Sequence, residues 1–189
     1  MTVTICVIDT ETTGLGIFGK ERREDYALSI GMLVADIDLE ARRIECRDCM
    51  DSLIRIPDPS MAEDTFFVHG ITPEQVAAAP APEEVCRKFL TLHSNHSFTF
   101  AGAWNHKFDR YFVDKLFKQT GVRQPGLSWI EMQPKPYAKL DHYADSIQCE
   151  KIRALPGHNA LNDCFRALGV YATMGGLEMD VSKVSARWL

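Results

Sequence analysis

Val3 to Ile8 is a nearly unbroken run of β-branched and apolar residues, and it ends directly on Asp9-Thr10-Glu11. An apolar run without polar alternation fits a strand buried on both faces in the middle of a sheet, so covering layers are required on both sides. The two acids then fall at the carboxyl end of a central strand, where open α/β sheets tend to bind ligands. While the chain stays extended, Asp9 and Glu11 project to the same side. Two ionised carboxylates held together there are costly unless a cation neutralises them.

The remaining pattern supplies the neighbours. Leu28 to Ile37 is a second apolar run, and Ile44 to Ile56 is a more polar segment that reads as an outer strand. Asp36-Ile37-Asp38 and the residues after it are expected to turn the chain between them. Ser97 to Ala103 is a fourth strand candidate. Helical spacing appears over Pro82 to His93, over Asn105 to Gln119 with Phe108, Phe112 and Leu116 on one face, and over Asn159 to Met174 before Gly175-Gly176. Three strands followed by alternating helices and strands predict an α/β fold, a mixed β-sheet covered by α-helices. With no repeat, low-complexity tract or long linker, residues 1–189 read as one domain.

Composition narrows the function classes. The chain carries 26 Asp and Glu against 21 Lys and Arg, a formal net charge of −5, so it is not a basic clamp on polyanions. With 46% hydrophobic and 25% charged residues, wholesale disorder is excluded. No apolar stretch approaches the roughly 20 residues of a membrane span, and the start lacks a basic signal segment, so a cytoplasmic protein is expected. The six cysteines lie mostly in apolar runs, as reduced packing residues do. Cys46 and Cys49 form a C-x-x-C pair, but His93 and His96 are spaced too closely for the usual zinc partners, and the pair reads as two strand-end thiols.

Two further acids stand at helix starts. In Asn105-His106-Lys107-Phe108-Asp109, Asn105 is a suitable N-cap, which puts Asp109 in the first turn and Phe108 toward the core. In Pro156-Gly157-His158-Asn159-Ala160-Leu161-Asn162-Asp163, Pro-Gly keeps His158 outside the helix, Asn159 can cap it, and Asp163 falls in its first turn. With the histidine in the preceding loop, both side chains can point into one pocket. Each motif alone is weak: a D-x-E pair is expected by chance roughly 0.7 times in a chain of this length. Only the ordered set is specific.

Taken together, Val7-Ile8-Asp9-Thr10-Glu11-Thr12-Thr13-Gly14, Asn105-x-x-Phe108-Asp109 and His158-x-Ala160-x-x-Asp163 resemble the histidine-bearing subclass of the DEDD 3′–5′ exonucleases. That family includes polymerase proofreading exonucleases, oligoribonuclease and RNase T. Val68-His69-Gly70-Ile71-Thr72 looks like the family's linker before its first long helix, so the resemblance reaches from Val3 to Tyr171. It implies an RNase H-like mixed β-sheet flanked by α-helices on both sides. It further implies that Asp9, Glu11, Asp109 and Asp163 hold two Mg²⁺ or Mn²⁺ ions, that His158 is the general base, and that Thr12, Thr13, Gly14, Leu15, Asn105 and Phe108 meet the substrate. Leu15 would wedge against the last base, and the implied partner is a single-stranded nucleic acid 3′ end. Departures lie in the enlarged, basic segment Leu15 to Asp25, with Lys20, Arg22 and Arg23, and in Gln133 to Lys139. Trp104 borders the implied cleft in sequence, and Phe18, Phe66 and Phe67 are further stacking candidates, with core packing expected for at least one of the last pair.

Three questions stay open at this level. The motifs do not separate single-stranded DNA from RNA, because that choice depends on how the 2′ hydroxyl is met. They do not separate a lone enzyme from a homodimer or a subunit of a polymerase or defence complex. A catalytically silent nuclease fold used as a binding module is the reading from another class, and the intact acids and histidine argue against it.

Overall fold

A computed structural model of the chain describes residues 1–20 and 24–184, so Arg22 and Arg23 lie outside the described residues while Lys20 is exposed. Among the described residues six strands form one sheet: β1 (Thr2–Thr12), β2 (Ala27–Asp38), β3 (Arg43–Leu53), β4 (Phe100–Ala103), β5 (Ser128–Glu131) and β6 (Glu178–Asp180). Seven α-helices accompany them among the same residues: α1 (Phe66–His69), α2 (Pro73–Ala77), α3 (Pro82–His96), α4 (His106–Thr120), α5 (Asp141–Ala144), α6 (Glu150–Arg153) and α7 (Ala160–Gly175). The strand order is β5-β4-β1-β2-β3-β6. The β1-β2 and β2-β3 pairs are antiparallel, and β1-β4, β4-β5 and β3-β6 are parallel.

The apolar run at the start of the chain is therefore central, and its alternate residues feed two cores. Ile5 and Val7 join Leu33, Ala35 and Cys46 under Phe165, Leu168 and Val170 of α7. Cys6 and Ile8 join Met32 and Val34 under Phe89 of α3 and Phe112 and Phe117 of α4. Large side chains buried to this degree each contribute roughly 1.5–3 kcal/mol. The mixed sheet with helices on both faces matches the fold expected from the strand pattern.

Three local expectations are corrected. Asp36, Ile37 and Asp38 do not turn the chain; they pair with Glu45, Ile44 and Arg43. The turn follows them, nucleated by Asp38 Oδ1, which accepts from the N–H groups of Glu40 and Ala41. Strands β5 and β6 have no counterpart in the sequence pattern, because three or four residues at a sheet edge carry no period to read. Trp104 does not border a cleft: it is buried, and its indole N–H donates to Ala138 O at 2.6 Å. That bond gives the Gln133 to Lys139 segment a packing role. His96 pairs with Asp48 and His93 packs edge-on to Phe98, while Cys46 and Cys49 are buried in mid-strand. No disulfide forms among the described residues.

One close approach sets the position of α7. Gly31 lies opposite Asp9 on one side and Asp51 on the other. A Cβ added at Gly31 would stand 2.3 Å from the carbonyl carbon of Ala160 and from the backbone nitrogen of Leu161. The first turn of α7 thus rests on bare β2 backbone, between two carboxylates. Gly31→Ala is expected to cost on the order of 1–3 kcal/mol or more, because backbone must move to admit the methyl group. Unfolding in urea would show it, and a midpoint equal to wild type would mean that α7 is free to slide.

Candidate active site

Asp9 and Glu11 end β1 on the face that α7 covers, and Asp163 enters from the first turn of α7. One oxygen from each of the three lies within 4.8 Å of the others. The helix start is built as the sequence implies: Asn159 Oδ1 accepts from Asn162 N at 3.0 Å, and His158 stays outside the helix. Asp163 Oδ2 accepts the backbone N–H of His158 at 2.9 Å, which ties the histidine loop to the acid.

Asp109 reaches the site from the other side of β1. It stands in the first turn of α4, is 3% exposed, and its Oδ1 accepts both the N–H and the hydroxyl of Thr10 at 3.0 Å. The two bonds fix the start of α4 to the end of β1. Asn105 occupies the N-cap position, but its side chain makes no cap bond; its carbonyl accepts from Phe108 and Asp109 instead.

Electrostatics mark these acids as strained in the absence of a cation. Desolvation raises Asp9 well above the usual carboxylate range although part of the residue reaches solvent, and Asp109, Asp163 and Glu11 push it further the same way. Burial, then Asp163, lifts Glu11 to about 7. Burial lifts Asp109 to about 7 against the Thr10 hydrogen bonds. Asp163 is also raised by burial, with Arg166 and His158 pulling it back.

This has a consequence for stability. A carboxylate whose folded pKa lies above its unfolded value binds more protons folded than unfolded, so stability falls as pH rises through that interval. For Glu11 and Asp109 the interval runs from their ordinary values of 4.5 and 3.8 to about 7. In EDTA the protein is expected to melt at a higher temperature at pH 5.5 than at pH 7.5, all else equal, and added Mg²⁺ should raise the pH 7.5 value. A metal-free melting temperature that climbs between those pH values would contradict the buried-acid picture.

The turn after β1 is held from inside. Thr13 is fully buried; its N–H donates to Tyr26 O and its hydroxyl to Asp25 Oδ1, while Gly16 N donates to Asp25 Oδ2. Thr12 is 8% exposed, and its carbonyl accepts the Thr65 hydroxyl at 2.7 Å. His69 completes this tie: Nδ1 accepts from Ile71 N, which leaves the proton on Nε2 to meet Thr65 Oγ1 at 2.8 Å. Gly14 packs on the Asp25 carboxylate and Leu15 projects into solvent.

Aromatic and apolar groups rim the same end. Phe108 is partly buried, with its ring centroid 5.9 Å from that of the exposed Phe18. Phe66 and Phe67 are both exposed, at 47% and 84%, against the expectation that one of them packs in the core. Beside Glu11 a polar cleft of about 410 Å³ opens between Ser29, Asp51, His69, Gln75 and His158.

Several members had no adequate signal in the sequence. Asp25, Asp51 and Asp141 are acids without motif context, and register or packing alone brings them to the site. His69 was legible only as part of a linker. Arg166 did leave a trace, a cation three residues after Asp163 and the sole basic residue of α7. It is 4% exposed and donates to Asp163 Oδ1 at 2.7 Å.

Comparison with known proteins agrees with this architecture. The family described as exonuclease, of RNase T type, matches residues 6–171. The chain belongs to that family, and with its ordered acids and histidine it is a DEDD exonuclease family member. It is 26% identical over 180 residues to the DNA polymerase III subunit epsilon of Pasteurella multocida, covering 90% of this chain and 67% of that protein. Its identity to the Haemophilus influenzae subunit epsilon is 27%, over 90% of this chain and 66% of that protein. The chain thus spans about two thirds of the length of these relatives. Among solved structures, a full-length 3′-exonuclease superposes with a TM-score of 0.70 at 16% identity, over 93% of this chain and 83% of that one. Cell-death related nuclease 4 gives 0.65 at 13% identity, over 92% and 62%. At these identities the superpositions establish a shared fold.

Proposed function

We propose that this chain is a divalent-metal-dependent 3′–5′ exonuclease acting on single-stranded DNA or frayed duplex ends and releasing nucleoside 5′-monophosphates. The observation that carries the reading is the convergence of Asp9, Glu11 and Asp163 within 4.8 Å, with Asp109 raising Asp9 from behind and His158 bonded to Asp163. An all-carboxylate donor set of raised basicity suits hard Mg²⁺ or Mn²⁺, and Asp9, Glu11 and Asp163, with Asp109, would hold the ions that the family resemblance implies. Such ions, held by these acids, would supply activation of a water and stabilisation of the charge on the entering and leaving oxygens.

The chain's own residues do the rest. His158, exposed in its loop, accepts the proton of the attacking water, a task matched to an imidazole at neutral pH. Glu11 and the backbone at Thr12 receive the terminal 3′ hydroxyl, and Thr13 acts by holding that backbone through Tyr26 and Asp25. Leu15 wedges against the last base. Phe108 with Phe18 offers a stacking platform, and each stacked base is worth roughly 1–3 kcal/mol. Asn105 sets the entry to α4 that puts Phe108 and Asp109 in place. The two relatives' names as polymerase subunits favour DNA over RNA and support a role as a polymerase-associated subunit. Among the described residues no helix is long and apolar enough to cross a membrane.

A time course on 5′-labelled single-stranded DNA and RNA of one sequence, with Mg²⁺, Mn²⁺ or EDTA, tests this directly. Expected are a ladder shortening from the 3′ end, monophosphate products, faster loss of DNA, and no cleavage in EDTA. Internal cleavage, or equal cleavage in EDTA, would overturn the reading. Tight binding with no hydrolysis under any metal would make the chain a nuclease-fold binding module.

A further inference from the structure

Asp141 and Arg166 belong to no motif, yet they lie directly beneath the histidine loop. The Arg166 side chain, 5% exposed, forks between two elements: one terminal nitrogen donates to Asp163 Oδ1 of α7 at 2.7 Å, the other to Asp141 Oδ1 of α5 at 2.5 Å. A planar guanidinium can serve two carboxylates at once in fixed geometry, which an ammonium cannot. The arrangement is held at a cost, since the buried Arg166 Nε–H has no hydrogen-bond partner among the described residues.

Three contacts connect this bridge to His158. Its backbone N–H donates to Asp163 Oδ2 at 2.9 Å, on the carboxylate that Arg166 holds from the other oxygen. Its Nε2 stands 3.7 Å from Asp141 Oδ2, the oxygen that Arg166 leaves open. Gly157, just before it, passes so close that an added Cβ would stand 2.4 Å from the Arg166 terminal nitrogen and 3.1 Å from Asp141 Oδ1. His158 itself sits at φ 59°, a left-handed conformation that non-glycine residues resist. A strained residue persists where its surroundings over-determine it.

We propose that Asp141 and Arg166 are positioning residues for His158, a charged clamp on which the loop rests and which sets where the imidazole stands. The proposal rests on the reading of His158 as general base. Arg166 joins Asp141 to the acid at the start of α7, and Asp141 turns its second oxygen to the imidazole. A shift of under 1 Å would bring that oxygen within hydrogen-bond distance, and such bonds often tighten only with substrate in place. Asp141 is half-exposed, so it can be neutralised without opening the core.

The test is a kinetic double-mutant cycle on a 5′-labelled single-stranded DNA oligomer with saturating Mg²⁺. Asp141→Asn is expected to lower kcat on the order of 10- to 100-fold with KM nearly unchanged, the usual cost of misplacing a reacting group by about 1 Å. Arg166→Lys, which keeps the charge but loses the fork, should do the same. In a His158→Ala background, Asp141→Asn should cost nothing further, because its effect passes through the imidazole. Calorimetric Mg²⁺ affinity of Asp141→Asn should equal wild type. An unchanged kcat in Asp141→Asn, or an undiminished loss in the His158→Ala background, would overturn the clamp while leaving the base role intact. Near-normal kcat in His158→Ala alone would overturn the base role, and the clamp with it.

Discussion

Replacing Asp9 with alanine is expected to abolish hydrolysis while leaving the metal-free fold as stable as wild type or more so. Asp9 is the acid whose ionisation is opposed by most neighbours: desolvation, Asp109, Asp163 and Glu11 all raise it. Removing it takes one charge out of a cluster of like charges, so the repulsion that the folded state tolerates is relieved. The same removal takes away the oxygens around which the other acids converge, and a metal-dependent reaction has no substitute for them. Labelled-oligomer assays with Mg²⁺ and thermal melting in EDTA report the two halves separately. If Asp9→Ala retained near-normal Mg²⁺-dependent hydrolysis, the metal-holding role would be withdrawn. If it lost activity only because it unfolded, the electrostatic account of the cluster would be wrong.

His158→Ala should lower kcat by roughly 10²–10⁴-fold with little change in KM, the contribution usual for a positioned general base. The residue stands in a loop held at one backbone atom by Asp163, and the alanine variant can keep that bond. Fold and metal affinity should therefore persist, which separates this variant from Asp9→Ala. A variant with unchanged kcat would remove His158 from proton transfer.

The legible part of this protein was what local pattern encodes. Two-sided burial from Ile5 to Ile8 was readable because the β-branched and apolar run from Val3 is broken only by Thr4. The helix starts at Asp109 and Asp163 were readable because helical period acts over a few residues, and at Asp163 because Asn159 caps the helix. The ordered motifs then carried the family, and with it an expectation for which acids converge. Illegible elements were those whose partners lie far away in the chain. Strands β5 and β6 exist only because an edge offers them hydrogen bonds. Trp104 looked like a rim residue until the position of Ala138 O made it a core anchor. Phe67 shows the converse, an aromatic side chain whose exposure no local rule foretells.

The amino-acid sequence by itself determined the central strand, the helix starts, and the order of acids and histidine along the chain, because each follows from period, capping or motif within a short window. Only the tertiary structure decided that Asp109 is locked to Thr10 and that α7 seats on bare backbone at Gly31. The fork of Arg166 between Asp163 and Asp141 under the histidine loop was likewise invisible in the sequence. Asp109 and Thr10 alone stand 99 positions apart, and Gly31 is farther still from Ala160. The reason is physical: a carboxylate's ionisation, a histidine's position and a glycine's necessity are set by which groups packing brings within a few ångströms, and sequence distance carries little of that information.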